Sequence, residues 1–300
     1  RKWQFNEPIF LANLATELYK IEGTSNICTR ETDGPEYNDP NYYPEFQDKL
    51  EWYKNLLLER HNAHKPFTSM RIGDGEYWYL KGRKVGNVGN RHCSVPITSE
   101  MISSAKNGCE KVDVFSISLY EDQFKTFKEI FPEKEPDLPL EIIYALLANK
   151  WYFQQFGDSI GLIGGEHKLN LIKRLMEHEE YRNYLGIESF KDYIEVPERF
   201  TCDNSDALAE QLKNSLENST SKVFLYGIGM GKMALAHKLA DFKNAIYIDV
   251  GCGISALAGT TALERPYFGS WTNFRLRDYD YSQVDPMDYK DTAGRNEIIL

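Results

Sequence analysis

Between residues 66 and 250, short runs rich in β-branched and aromatic residues alternate with longer amphipathic stretches. This alternation constrains the fold more than any other feature of the chain. The runs Pro66–Ile72, Val112–Leu119, Ser159–Ile163, Tyr193–Val196, Val223–Tyr226 and Ala245–Val250 have the length of strands and carry few charges. They read as strands covered on both faces, as in a parallel sheet. Residues 46–62, 98–107, 121–131, 138–156, 168–184, 203–217 and 233–240 show helical spacing between them, and Asp203 or Ser205 is the expected cap of the 203–217 helix. In the 46–62 stretch, Leu50, Tyr53, Leu57 and Leu58 fall on one side. The expected fold class is α/β, a single Rossmann-like doubly wound, mostly parallel sheet with helices on both faces. Residues 3–20 read as a further amphipathic helix, and 31–47, with Gly34, Pro35, Pro40 and Pro44, as a loop. The chain therefore divides into a helical N-terminal extension (1–60), a sheet domain (61–264) and an aromatic-rich C-terminal tail packed on that domain (265–300).

Three of the expected strands run into glycine-bearing turns. The first turn is Arg71-Ile72-Gly73-Asp74-Gly75-Glu76, with two carboxylates two residues apart, each preceded by glycine. Glycine lets the backbone bend and approach a ligand closely. Asp74 and Glu76 can then offer hard oxygen ligands to one Mg²⁺ or Mn²⁺ ion, although an acidic turn without a ligand has the same pattern. The second turn is Gly164-Gly165-Glu166-His167-Lys168, where Lys168 can meet a phosphate and Glu166 can act as a base or hold a ribose. The third is Gly227-Ile228-Gly229-Met230-Gly231-Lys232, a strand-to-helix turn whose N–H groups can face an anion, with Asp249 ending the next strand. It is not a dinucleotide fingerprint, because Lys232 stands where that motif needs glycine and only 74 residues follow Tyr226. In a parallel sheet all three turns open on one edge, the edge where this class binds ligands.

The composition narrows the ligand. The chain has 300 residues, a formal net charge of −10, 42% hydrophobic and 27% charged residues, an ordinary globular balance with room for a large core. The negative charge argues against a nucleic-acid partner, whose binding depends on Lys and Arg at phosphates. The five cysteines, Cys28, Cys93, Cys109, Cys202 and Cys252, are irregularly spaced without a Cys-x-x-Cys pair, which suggests neither a disulfide framework nor a zinc site. A reducing, cytoplasmic location is expected, with contact at a membrane surface allowed. No apolar run approaches the roughly 18 residues of a membrane span. The chain starts at Arg1 rather than Met, which leaves a preceding segment open.

The first motif resembles the Arg-(aromatic or aliphatic)-Gly-Asp-Gly-Glu signature of the GT-D-type glycosyltransferases, a family first described as a domain of unknown function in bacterial glycan clusters. The segment Leu225–Leu239, followed by Ala245-Ile246-Tyr247-Ile248-Asp249-Val250-Gly251, resembles that family's closing glycine turn, helix and strand ending in Asp-(apolar)-Gly. The two segments anchor a resemblance over residues 66–260. Where family members often carry His after that glycine, this chain has Cys252. The resemblance implies a nucleotide-diphospho-sugar donor (a UDP- or GDP-sugar) and a divalent cation, Mn²⁺ or Mg²⁺, on Asp74 and Glu76. It implies transfer of a hexosyl or pentosyl group to a glycan or lipid-linked acceptor.

On this reading Asp74, Glu76, Glu166 and Asp249 are the catalytic candidates, with Glu166 and Asp249 equal contenders for the base. Arg71, Gly73, Gly75, Gly165, Lys168, Gly227, Gly229, Gly231 and Lys232 line the donor. The tail aromatics Tyr267, Phe268, Trp271, Phe274, Tyr279 and Tyr281, interleaved with Arg265, Arg275 and Arg277, are expected at the acceptor site. Association into a homo-oligomer is compatible with this composition. The alternatives are a methyltransferase or other Rossmann enzyme using the third turn and Asp249, and a nucleotide- or glycan-binding module without turnover.

Overall fold

The computed structural model describes residues 46–82, 93–117, 121–148, 150–260, 274–281, 284 and 298–300. Seven strands form one sheet: β1 (Phe67–Ile72), β2 (Val114–Ile117), β3 (Leu138–Pro139), β4 (Ile160–Gly165), β5 (Tyr193–Val196), β6 (Val223–Tyr226) and β7 (Ile246–Asp249). Their order is β3-β2-β1-β7-β6-β4-β5, and every pairing is parallel. Strands β1, β2, β4, β6 and β7 are buried almost throughout, as expected for a sheet covered on both faces. The expected doubly wound α/β class is therefore observed. The last two strands of this sheet in sequence, β6 and β7, lie in its middle, between β1 and β4.

Two hydrophobic cores flank the sheet. One holds Phe67, Leu162, Leu225 and Ile248 together with the helices Phe46–Asn62, Leu140–Ala148 and Glu166–Leu175. The other holds Met70, Phe224 and Tyr247 with the helices Asp74–Leu80, Ser99–Glu110, Ser205–Glu217 and Lys232–Phe242. The alternation of Phe224 and Leu225, or of Tyr247 and Ile248, between the two cores is the period-two rule of a strand. Helix Phe46–Asn62, the described part of the expected N-terminal extension, packs on the sheet through Leu50, Tyr53 and Leu57, none of which is exposed. The 3–20 helix lies outside the described residues. Among the described residues, no helix is long and apolar enough to cross a membrane.

Several local expectations change. The stretches 138–156 and 168–184 are each two helices, Leu140–Ala148 with Trp151–Phe156 and Glu166–Leu175 with Glu179–Leu185. The first break falls at Lys150, whose φ of 63° is left-handed without any glycine to mark it. The cap of helix Ser205–Glu217 is Asn204, whose side chain accepts from the Ala207 N–H at 3.0 Å, rather than Asp203 or Ser205. In the tail, Phe274–Arg275 pairs with Ile298–Ile299 in a small second sheet. Phe274 packs edge-on against Tyr181, and Leu276 and Tyr281 are buried beside it.

Candidate functional site

All seven strands point the same way, so the ends of β1, β4, β6 and β7 meet on one edge. In register, Ile163 of β4 lies beside Tyr226 of β6, and Tyr226 beside Asp249 of β7. The chain leaves β1 toward one core, through Tyr77 and Leu80, and leaves β7 toward the other, through Ile254 and Leu257. Neighbouring strands whose exits diverge in this way open a crevice at their carboxyl ends. The first and third glycine turns both border that crevice.

The Asp74–Glu76 run is not an open turn. It is the first turn of helix Asp74–Leu80, with Gly73 as the N-cap in extended backbone. Glu76 folds back so that its Oε2 accepts from the Gly73 N–H at 3.1 Å, the carboxylate half of a capping box. Its Oε1 accepts from Lys232 Nζ at 2.7 Å. The same ammonium lies 2.7 Å from Asp249 Oδ2, and Lys232 is almost wholly buried. Asp249, with no exposed surface, also accepts from the N–H groups of Arg71 (3.1 Å) and Gly251 (3.0 Å). Arg71 Nε stands 3.5 Å from Asp249 Oδ1, and the guanidinium lies over the Tyr144 ring at 5.3 Å. Tyr144 OH in turn accepts from the Cys252 thiol at 3.2 Å. Burial alone would raise the Glu76 carboxyl, but Lys232 and Arg71 outweigh it and hold its pKa down to about 2. Two carboxylates and two cations thus form one buried, mutually neutralised cluster at the crevice floor.

The glycines around this cluster serve close approach. A Cβ on Gly75 would come within 2.9 Å of Met230 Cε, so the first and third turns touch. A Cβ on Gly227 would meet the Gly251 carbonyl oxygen at 2.8 Å. Gly251 itself has φ of 45°, and a Cβ there would fall 1.7 Å from Arg71 Nη2. Gly251→Ala is therefore expected to lose roughly 1–3 kcal/mol of stability, from left-handed backbone and from displacing the Arg71 guanidinium. Urea denaturation measures it, and a variant as stable as the parent would show that Arg71 is free to move aside.

The second turn is arranged differently. Gly165 ends β4, and Glu166 opens the next helix in an exposed position. Lys168, expected to meet a phosphate, instead pairs with Glu198 Oε1 at 3.4 Å. Glu198 Oε2 lies 2.0 Å from where a Cβ on Gly165 would be. Farther along the same loop, Thr201 packs on the third turn, where the Gly231 N–H donates to its Oγ1 at 3.2 Å. The loop after β5 thus crosses the crevice edge from β4 to β6. Glu198, Thr201 and Tyr144 carry no motif, and sequence reasoning does not find them.

Two further expectations are corrected by the geometry. The sequence suggests no disulfide, yet Cys93 and Cys202 are bonded, with Cα atoms 5.8 Å apart. An odd cysteine count is compatible with one pair, and sequence spacing says nothing about residues brought together across the fold. Phe274 and Tyr281 bury their rings in the core, so they are not sugar-stacking surfaces, and Arg275 is buried beside Tyr281. Arg277 is exposed and Tyr279 half-buried. Tyr267, Phe268, Trp271 and Arg265 lie outside the described residues.

The donor set suits a hard cation only in part. Glu76 spends two of about four lone-pair directions on Lys232 and Gly73, which leaves capacity for one ion. The Asp74 side chain lies outside the described residues. Among the described residues, the one grouping of three metal-capable side chains is Cys93, Cys202 and Asp203, and its sulfurs are joined to each other. Compared with known proteins, the chain matches no family model, no curated protein and no solved structure.

Proposed function

We propose that the protein is a metal-dependent glycosyltransferase that takes a sugar from a nucleotide-diphospho-sugar in the β1/β7 crevice and passes it to a glycan or lipid-linked acceptor. The observation that carries this reading is the buried Arg71–Asp249–Lys232–Glu76 cluster at the carboxyl edge of the sheet, flanked by the glycine turn Gly227–Gly231. That placement is where open parallel sheets bind nucleotides. The four charges sum to zero, so the cluster alone exerts little net pull on a diphosphate. A divalent cation held by Glu76 and Asp74 supplies the missing positive charge and stabilises the leaving diphosphate. Arg71 contributes a fixed guanidinium beside it, and the third turn contributes backbone N–H groups. Asp249 is committed to three donors and an ion pair with Arg71 and is sealed from solvent, so it orients Lys232 and Arg71. Glu166, exposed at the same edge, is then the better base for an acceptor hydroxyl.

Thermal shift with UDP and GDP, with and without Mn²⁺, tests this. Binding to the folded state is expected to raise Tm by several degrees at saturating ligand, and only when the metal is present. Asp74→Asn is expected to abolish the metal-dependent increment while leaving the unliganded Tm close to that of the parent. Glu76→Gln is expected to abolish it too, at lower stability because Lys232 loses a partner. No increment in the parent protein, or an undiminished one in both variants, rejects the reading.

A further inference from the structure

We propose that Phe200, presented over the crevice by the loop Pro197–Asp203, is the stacking surface for the nucleobase of the donor. This rests on the nucleotide-diphospho-sugar reading above and assigns the residue that recognises the nucleoside. Four large apolar side chains are exposed among the described residues, Trp52, Trp78, Val95 and Phe200. Of these, Phe200 alone sits in left-handed backbone, at φ of 62°. An aromatic residue pays a steric penalty in that conformation, and such residues persist where the surroundings over-determine them.

Here the surroundings do so from both sides. Two residues before Phe200, Glu198 lies against Gly165 and pairs with Lys168. One residue after it, Thr201 is buried on Gly231, where a Cβ would approach the Thr201 carbonyl oxygen to 2.7 Å. Then come Cys202, bonded to Cys93, and Asp203, whose Oδ1 accepts from the Ser94 N–H at 2.9 Å and whose other oxygen accepts from the Ser94 hydroxyl. The Asp203 N–H closes the turn on the Phe200 carbonyl at 3.0 Å. Phe200 is the one residue of Glu198–Asp203 with a large apolar side chain, and it faces solvent while Glu198, Thr201, Cys202 and Asp203 are fixed.

Its position follows from those anchors. Gly165 ends β4 and Gly231 belongs to the turn after β6, and β4 and β6 are adjacent. The Phe200 backbone therefore lies between two anchors at the carboxyl ends of these two strands. Thr201 touches Gly231, and the next residue, Lys232, places its ammonium in the charged cluster. A diphosphate at the cluster would carry its nucleoside toward one side of the crevice, and the β4–β6 side is walled by this loop. An aromatic face there can stack on any base, which gives affinity through the ring rather than through the phosphates.

The test compares probes with and without a base. Calorimetry in Mn²⁺ measures UDP, GDP, ADP, CDP and inorganic pyrophosphate against the parent protein, Phe200→Ala, Phe200→Trp and Phe200→Gly. Phe200→Ala is expected to weaken the best nucleoside diphosphate about tenfold and to leave pyrophosphate within twofold. Phe200→Trp is expected to restore affinity. Phe200→Gly relieves the left-handed backbone, so it is expected to match or exceed the parent in Tm while binding nucleotide as poorly as the alanine variant. A merely structural Phe200 would move stability and both ligands together. Equal weakening of pyrophosphate and nucleotide, or no weakening of either, overturns the assignment while the donor site itself stands. A parent protein that binds none of these probes overturns both.

Discussion

Replacing Lys232 by Met is expected to destabilise the protein by about 3–5 kcal/mol, with the lower urea midpoint as the measured quantity. Met is also unbranched and only one atom shorter than Lys, so packing changes little and the loss is mainly electrostatic. The ammonium is the shared donor of two buried carboxylates, 2.7 Å from each. Without it, Glu76 keeps backbone N–H groups as its neutral donors, and Asp249 depends on Arg71 and two N–H groups. An uncompensated buried charge costs several kcal/mol, more than the pair itself contributes over an apolar replacement. The double variant Lys232→Met with Glu76→Gln removes the stranded carboxylate and is expected to recover part of the loss. The coupling between the two substitutions is then clearly non-additive. A single variant within 1 kcal/mol of the parent would mean that the cluster is not closed in solution.

The same cluster sets a pH dependence. Glu76 has a folded pKa of about 2 against an ordinary value of 4.5. A depressed carboxylate pKa contributes stability that is complete above the unfolded value and disappears as pH falls through the folded one. The window therefore runs from about pH 4.5 down to about pH 2, and the integrated loss is roughly 3 kcal/mol. Glu76→Gln has no such carboxylate, so its stability is expected to fall less steeply across that window.

The strands were legible because a buried parallel strand has a short, apolar, β-branched signature that needs no partner to be recognised. Val223–Tyr226 begins and ends where the sequence predicts, and so does the edge strand Tyr193–Val196, whose positions alternate between half-buried and buried. Strand β3 is two residues long and leaves no pattern to read. The split at Lys150 uses a left-handed lysine, whose position depends on packing rather than on glycine or proline. At the candidate site, the chemistry-bearing residue types were visible but their partners were not. Glycines beside Asp74 and Glu76 predict a bend, yet the Glu76 side chain can cap its own helix, and that converts the run into a helix start. Lys232 is expected to line the donor because it follows a glycine turn, but its ammonium is folded inward onto carboxylates from β7 and from the helix after β1. Lys168 is taken in the same way by Glu198, a residue that no spacing rule selects.

Removing the Cys93–Cys202 bond is expected to cost about 4–5 kcal/mol, because it closes a loop with a sequence separation of 109 residues. A long loop restricts the unfolded chain more than a short one, so the cross-link raises the free energy of unfolding chiefly through the unfolded state. The bond joins the segment before helix Ser99–Glu110 to the loop after β5, and no strand pairing connects those two segments. The remaining described cysteines are poor exchange partners. Cys109 is buried, and burial pushes its thiol pKa up, so the reactive thiolate is suppressed. Cys252 donates its thiol hydrogen to Tyr144. The expected result is that Cys93→Ser with Cys202→Ser unfolds at the same lowered urea concentration with or without reductant. The parent protein matches it only when reduced. A parent whose midpoint ignores reductant while both thiols react with an alkylating probe would show that the two cysteines are adjacent but unbonded. In that case the Ser94–Asp203 hydrogen bonds, together with the Thr201–Gly231 contact, would be left to hold the loop at the crevice edge.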